Sequence, residues 1–290
     1  MFTGSIVAII TPFRNGKVDE RALGDLIESQ IANHTAGIVP CGTTGESATL
    51  SHEEHDRVVG LTVEAVRRRV PVIAGTGSNS TEEAITLTQH AKRAGADGAL
   101  LITPYYNKPT QEGLFRHYKA VAEAVDLPLV LYNIPGRTGV NLLPATVARL
   151  ASSPNIVGIK EGSGSIQQTS DIVQLCGERI TVLSGDDPLT LPIMALGGKG
   201  VITVTANLLP QEMSAMVAAA LAHHWDEARR LHYKLSPLFA ALFLETNPIP
   251  VKEALGLMGK IDPEVRLPLC PLMPDNRDRL TRVLKDYGLV

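Results

Sequence analysis

The sequence predicts a (β/α)8 barrel of the TIM type with a helical extension at its C-terminal end. Short apolar runs rich in β-branched residues alternate with longer amphipathic segments up to about residue 210. The runs are almost continuously apolar, as expected for parallel strands that are covered on both faces. The eight predicted strands comprise residues 5–11, 37–41, 71–75, 98–102, 128–133, 156–160, 181–184 and 200–203.

The segments between these strands indicate a closed barrel rather than an open sheet. Most strand–helix units span about 25–34 residues, which is typical of a (β/α)8 barrel. No Gly-x-Gly-x-x-Gly turn follows the first strand, which disfavours an open dinucleotide-binding sheet. Two helix starts are predicted from their capping residues: a capping box from Ser80 to Glu83, and an N-cap at Asp187.

Beyond about residue 209 the strand signals end and only helical patterns follow. We predict helices over residues 213–232, after the motif Asn247-Pro248-Ile249-Pro250, and over residues 275–287. No segment has the composition of a flexible linker. The predicted division is a catalytic barrel over residues 1–222 and an extension over residues 223–290.

The composition excludes several classes of function. A net charge of −3 gives no electrostatic reason to bind nucleic acid or an anionic membrane. The apolar run at the N-terminus has no basic leader, and no stretch approaches the roughly 18–20 apolar residues of a membrane span. Cys41, Cys176 and Cys270 show no metal-ligand spacing, and so few thiols indicate a reducing compartment. We therefore expect a cytoplasmic protein.

Lys160 ends an apolar strand, at the side of the barrel where barrel enzymes carry their active sites. A lysine that loses water there has a lowered pKa, and more of it is free amine that can attack a carbonyl. The alternative is a surface lysine whose charged head stays in solvent. Position alone leaves both interpretations open.

Tyr132 ends the preceding strand, and Arg137 follows it after a proline turn. A phenol beside a lysine can relay protons, and a guanidinium group presents a planar fork to a carboxylate. The structural alternatives are a packed tyrosine and a surface ion pair.

Two further loops carry polar side chains. The loop after the second strand reads Cys-Gly-Thr43-Thr44-Gly-Glu-Ser, which lacks the Gly-Lys-Ser/Thr ending of a phosphate loop and suits an unphosphorylated keto acid. Tyr105 and Tyr106 lie on a proline-bounded loop, where they could anchor a subunit interface or supply a catalytic phenol.

His52 and His55 lie three residues apart on one predicted helix. Their spacing is not that of a His-Glu-x-x-His zinc motif, and no third ligand is evident. We predict a polar ligand site or a helix surface there, and no metal.

Three motifs together resemble the pyruvate-dependent Schiff-base aldolase superfamily. They are Gly-Thr43-Thr44-Gly-Glu, Tyr132-x-Asn-x-Pro and Gly-Ile-Lys160, in this order. The resemblance covers essentially the whole chain. The double threonine and Arg137 resemble the dihydrodipicolinate synthase family within it, because neuraminate lyases have Gly-Ser-Thr-Gly-Glu and sugar-acid lyases generally lack that arginine.

This resemblance implies that the chain condenses pyruvate with L-aspartate 4-semialdehyde through a lysine Schiff base, in the diaminopimelate route to L-lysine. It also implies four catalytic residues. Lys160 would form a Schiff base with pyruvate, and Tyr132 would donate and accept protons. Thr43 and Tyr106 would complete the proton relay, with Tyr106 reaching the site of a neighbouring subunit. No metal or organic cofactor is implied.

The resemblance also implies the substrate contacts and the assembly. Thr44 and the backbone carbonyl of Ile202 would contact pyruvate, Arg137 would bind the carboxylate of L-aspartate 4-semialdehyde, and Gly185 would lie near the substrate. The family implies a homotetramer built as a dimer of dimers. L-lysine would inhibit at a dimer interface through Ser47, Ala48, His52, His55, Asn79, Glu83 and Tyr105.

Two other functions remain as alternatives. One is a related aldolase that releases pyruvate from a sugar acid or a hydroxy-oxo acid, against which Arg137 and the double threonine argue. The other is a non-catalytic sensor that retains the fold and binds pyruvate or lysine, which measurable turnover would exclude.

Overall fold

The computed structural model describes residues 2–290, and within them eight parallel strands form the predicted barrel. Met1, which the predicted barrel includes, lies outside the described residues. The strands are β1 (Gly4–Ala8), β2 (Gly37–Val39), β3 (Ile73–Gly75), β4 (Gly98–Ile102), β5 (Leu129–Asn133), β6 (Ile156–Glu161), β7 (Thr181–Ser184) and β8 (Gly200–Thr203). Their order is β2-β1-β8-β7-β6-β5-β4-β3, and a parallel bridge between Ile38 and Val72 joins the two ends.

The predicted strands are found, although the first three are shorter than their apolar runs suggested. Strand β1 ends at Ala8, whereas the prediction extended to residue 11. Ile9 and Ile10 are buried, but the Ile10 N–H donates to the side chain of Asn207 rather than to a neighbouring strand. The whole run is apolar because it is buried, but only its first part belongs to the sheet.

The helices surround the barrel and then continue into the extension. Those of six residues or more are α1 (Glu20–Ala32), α2 (His52–Val66), α3 (Thr81–Ala94), α4 (Gln111–Ala124), α5 (Pro144–Leu150), α6 (Ile166–Cys176), α7 (Thr190–Ala195), α8 (Pro210–Leu221), α9 (Trp225–Ala241), α10 (Ile249–Leu257) and α11 (Pro274–Asp286). A four-residue helix, Pro135–Thr138, carries Arg137. None of the helices within residues 2–290 combines the length and the apolar character that a membrane span requires.

The single helix predicted over residues 213–232 is wrong, because the structure has two helices there. Helix α8 ends at Leu221 and α9 begins at Trp225. Between them His223 adopts a left-handed backbone conformation with φ of 61°, which a continuing helix does not allow. The two helices therefore pack against each other.

The two predicted helix caps also differ from the structure. Ser80 accepts a hydrogen bond from the Glu83 N–H, but the Glu83 carboxylate binds Ser78 and His52, so the capping box is only half formed. Asp187 does not cap a helix. Its carboxylate accepts hydrogen bonds from the N–H and hydroxyl of Thr205 at 2.8 and 2.6 Å, and so ties the end of β7 to that of β8.

Apolar side chains form one cluster inside the barrel and two around it. The inner cluster includes Ile6, Leu100 and Leu183. The largest outer cluster runs from barrel helices into α9, α10 and α11 of the extension. The division at residues 222 and 223 falls between α8 and α9, and it stays a prediction.

A buried ion pair fastens the extension to the loop that carries Thr43 and Thr44. Lys252 of α10 lies 2.6 Å from Glu46, and the two side chains are 0% and 1% exposed. The Lys252 ammonium also donates to the Thr11 carbonyl, and Glu46 accepts from the Arg266 N–H. Because all these groups are paired, the arrangement fixes the loop without leaving a free buried charge.

We predict that Lys252→Met lowers the free energy of unfolding by about 3–5 kcal/mol, because it leaves the Glu46 carboxylate buried without its cation. Adding Glu46→Gln should recover part of this loss, since the amide is neutral and still accepts from Arg266. Urea unfolding of both variants measures the effect. Lys260→Met, at an exposed lysine nearby, is the control and should change stability by less than about 0.5 kcal/mol. A double variant no more stable than the single one would contradict this account.

Candidate active site

Lys160 and Tyr132 lie side by side near the C-terminal ends of two neighbouring strands. They are register partners in β6 and β5, and the Lys160 ammonium nitrogen lies 4.2 Å from the centre of the Tyr132 ring. Lys160 is 6% exposed and Tyr132 is 5% exposed. The interpretation of Lys160 as a solvated surface lysine is therefore wrong.

Burial changes the protonation equilibrium of Lys160. Loss of water lowers the pKa of its amine to about 8, against an opposing effect from the Asp187 carboxylate and a smaller reinforcing one from Arg137. About one lysine in ten would then be the free amine at pH 7, compared with roughly one in three thousand for an unperturbed lysine. The side chain is thus prepared for attack on a carbonyl carbon.

Burial has the opposite effect on Tyr132. It raises the pKa of the phenol to about 12, although the positive charge of Arg137 and a hydrogen bond with Thr43 act against it. The phenol therefore keeps its proton at neutral pH. Beside a neutral amine it can donate a proton and take it back.

A narrow cavity surrounds these two side chains. It brings together most of the residues predicted for catalysis and substrate binding: Thr43, Thr44, Tyr132, Arg137, Lys160 and Gly185. Arg137 lies exposed at the rim, whereas Thr44 is buried. A Cβ atom at Gly185 would lie 3.0 Å from the Glu161 carbonyl oxygen, so a larger residue would crowd this wall.

The side chains of two predicted residues do not line this cavity. Ile202 is 1% exposed and belongs to the inner apolar cluster together with Tyr132, so its predicted contact through the backbone carbonyl stays a prediction. Tyr106 is 89% exposed and has a left-handed φ of 71°. It does not line the cavity that contains Lys160, and its role in a neighbouring subunit stays a prediction.

The extension supplies wall residues that the sequence interpretation missed. Phe243 and Asn247 line the cavity, and both lie between α9 and α10. The Asn247 amide donates to the Thr44 hydroxyl at 3.0 Å, and its backbone carbonyl accepts from Arg137 at 3.1 Å. The motif Asn-Pro-Ile-Pro marks this segment in the sequence, but by itself it indicates only the start of a helix.

A second pocket contains six of the seven residues predicted to bind lysine: Ser47, Ala48, His52, His55, Glu83 and Tyr105. Asn79 is not among its walls, and its backbone carbonyl accepts a hydrogen bond from Asn107. A third pocket lies between this one and the cavity, because it shares Ser47 and Tyr105 with the former and Thr43 and Arg137 with the latter.

The second pocket is chemically suited to a group that donates hydrogen bonds. His55 contacts the Gly75 carbonyl through Nε2 at 2.8 Å, so Nε2 carries the proton. Its buried Nδ1 has no hydrogen-bond partner, although the Asp56 carboxylate lies 3.8 Å away. Burial lowers the pKa of His55, which favours this neutral form. The carboxylate of Glu83 lies at the same pocket, 2.9 Å from His52. No group of three or more His, Cys, Asp or Glu side chains in residues 2–290 is arranged to hold a metal ion.

Comparison with known proteins identifies the family of this chain. The family model described as the dihydrodipicolinate synthetase family matches residues 1–287. The 4-hydroxy-tetrahydrodipicolinate synthase of Citrifermentans bemidjiense is 66% identical over 290 residues, which is all of both chains. Among solved structures, a dihydrodipicolinate synthase from Acinetobacter baumannii complexed with pyruvate is 51% identical, covers 100% of both chains and has a TM-score of 0.98.

A structure of the Cyanidioschyzon merolae enzyme with lysine bound is 41% identical, covers 100% of this chain and 99% of its own, and has a TM-score of 0.96. The match to the family model, the full-length identity and the shared barrel agree with one another. The chain belongs to the dihydrodipicolinate synthetase family.

Proposed function

We propose that this chain is a 4-hydroxy-tetrahydrodipicolinate synthase, which condenses pyruvate with L-aspartate 4-semialdehyde in the diaminopimelate route to L-lysine. The observation that carries the proposal is the buried amine of Lys160 beside the phenol of Tyr132, in a cavity with Arg137 at its rim. Membership of the family and the full-length relatives of this name support the choice of substrates.

The first half of the reaction forms a nucleophile from pyruvate. The neutral Lys160 amine attacks the ketone carbon, and the carbinolamine loses water to give an imine. The imine then accepts the electrons left behind when a methyl proton departs, which yields an enamine. Because the imine is the electron sink, this chemistry needs no cofactor. Thr44, Gly185 and the Ile202 carbonyl position the pyruvate.

The second half joins the two substrates and releases the enzyme. The enamine carbon attacks the aldehyde carbon, while Arg137 binds the carboxylate of the semialdehyde. The amino nitrogen of the semialdehyde then attacks the imine carbon, and the bond from that carbon to the Lys160 nitrogen breaks. Tyr132, Thr43 and Tyr106 transfer the protons.

The assembly belongs to the same proposal. Tyr106 is exposed and conformationally strained, as expected for a residue whose partner is another subunit. We propose a cytoplasmic homotetramer, built as a dimer of dimers, in which Tyr106 completes the proton relay of a neighbouring subunit. L-lysine binds the pocket formed by Ser47, Ala48, His52, His55, Glu83 and Tyr105, with Asn79 contributing from its edge, and inhibits the enzyme.

A condensation assay with pyruvate and L-aspartate 4-semialdehyde tests the function. We expect turnover, and we expect kcat/KM for pyruvate to rise about tenfold per pH unit below pH 8 and then level off, because only the neutral Lys160 amine attacks. Pyruvate release from a sugar acid, without condensation, would instead support the related aldolase. No turnover with either substrate would contradict both.

Glu83→Gln tests the lysine site. The substitution removes the charge that pairs with an amine of the inhibitor, so we expect the L-lysine concentration for half-inhibition to rise by roughly tenfold or more. The inhibited rate is compared with the uninhibited rate of the same variant. Glu82→Gln, at the exposed neighbour outside this pocket, is the matched control and should leave inhibition unchanged. Equal inhibition of wild type and Glu83→Gln would exclude the role of this carboxylate.

A further inference from the structure

The buried side chain of Asn247 presents an unused hydrogen-bond acceptor at the wall of the catalytic cavity. The residue is 4% exposed and lies between α9 and α10. Its Nδ2 donates to the Thr44 hydroxyl at 3.0 Å. Its Oδ1 is buried and has no partner. Buried carbonyl oxygens in proteins are nearly always paired, so this one is available for a donor that arrives with a ligand.

The other side chains of the cavity do not offer an equivalent acceptor. Lys160 and Arg137 are nitrogen groups, and the hydroxyls of Thr43, Thr44 and Tyr132 can donate as well as accept. Among residues 2–290, no carboxylate lines the cavity. A ligand that carries a positive amino group therefore finds one side-chain carbonyl oxygen there, and it belongs to Asn247.

The position of this oxygen matches the chemistry of the second substrate. L-aspartate 4-semialdehyde carries its carboxylate and its amino group on one carbon atom, so the two groups must find partners close together. Arg137, which suits the carboxylate, donates at 3.1 Å to the backbone carbonyl of Asn247 itself. The binding group for the carboxylate thus contacts the backbone of the residue whose side chain carries the free acceptor.

We propose that Asn247 Oδ1 accepts a hydrogen bond from the α-amino group of the semialdehyde and directs its nitrogen towards the imine carbon. The proposal rests on the proposed function and adds a positioning residue to it. The amide takes no proton during the reaction. It also selects the substrate, because an aldehyde without the amino group leaves the buried oxygen unpaired.

Two related aldehydes separate this role from a general effect on the cavity. Succinic semialdehyde has the carboxylate and aldehyde of the substrate but no amino group. In Asn247→Ala we expect kcat/KM for L-aspartate 4-semialdehyde to fall about ten- to a hundredfold, the loss for one hydrogen bond to a charged group. Inhibition by succinic semialdehyde should change by less than about twofold, a small effect beside that loss. Borohydride trapping of pyruvate in the same variant measures any effect that passes through Thr44, the hydrogen-bond partner of Asn247.

Three variants complete the test. Asn247→Leu keeps the volume of the side chain without its polar atoms, so it gives the same test if the alanine variant fails to fold. Asn247→Asp keeps an acceptor and should restore the preference for the amino aldehyde. Arg137→Ala should weaken both semialdehydes alike, because both carry the carboxylate.

The outcomes distinguish the proposal from the function on which it rests. Equal losses for both semialdehydes and for pyruvate trapping in Asn247→Leu, or no loss at all, would overturn the role of Asn247 while condensation by the wild type continued. Failure of the wild type to condense pyruvate with L-aspartate 4-semialdehyde would overturn the proposed function and this inference together.

Discussion

The chemistry of this protein depends on the removal of one lysine amine from water. Lys160 lies one residue before the end of β6, and the barrel places its side chain among Tyr132, Thr44 and the other walls of a narrow cavity. Desolvation lowers the pKa of the amine to about 8, and the buried Asp187 carboxylate opposes the shift. The Asp187 carboxylate accepts hydrogen bonds from Thr205 and from the N–H of Val204. The contacts that join β7 to β8 therefore also hold in place the negative charge that acts on the Lys160 amine.

The extension turns the barrel mouth into an enclosed site. The ion pair of Glu46 with Lys252 fixes the base of the loop that carries Thr43 and Thr44, while Asn247 connects Thr44 to Arg137. The same loop continues into Ser47, a wall of the pocket proposed to bind L-lysine. A ligand in that pocket would therefore contact a segment whose other end lines the catalytic cavity. Inhibition would then be transmitted through this one loop.

Much of the architecture could be predicted from the sequence, because parallel strands covered on both faces leave continuous apolar runs. The spacing of those runs predicted the barrel, and the ends of two of them predicted where Lys160 and Tyr132 meet. Conformational details escaped prediction for local reasons. His223 adopts a backbone conformation that interrupts an amphipathic pattern. The Glu83 carboxylate binds Ser78 and His52 instead of the N-terminus of its own helix. The place of Asn247 at the cavity wall could not be predicted, because no sequence pattern shows which loop of the extension covers the barrel mouth.

The central claim is that the buried amine of Lys160 becomes bonded to pyruvate. Reduction of the protein with borohydride in the presence of pyruvate, followed by peptide mass spectrometry, tests it most directly. The account predicts a pyruvate-derived label on the peptide that contains Lys160, formed faster as the pH rises towards 8 and absent in Lys160→Ala. A label on another lysine, or a label that persists in Lys160→Ala, would contradict it.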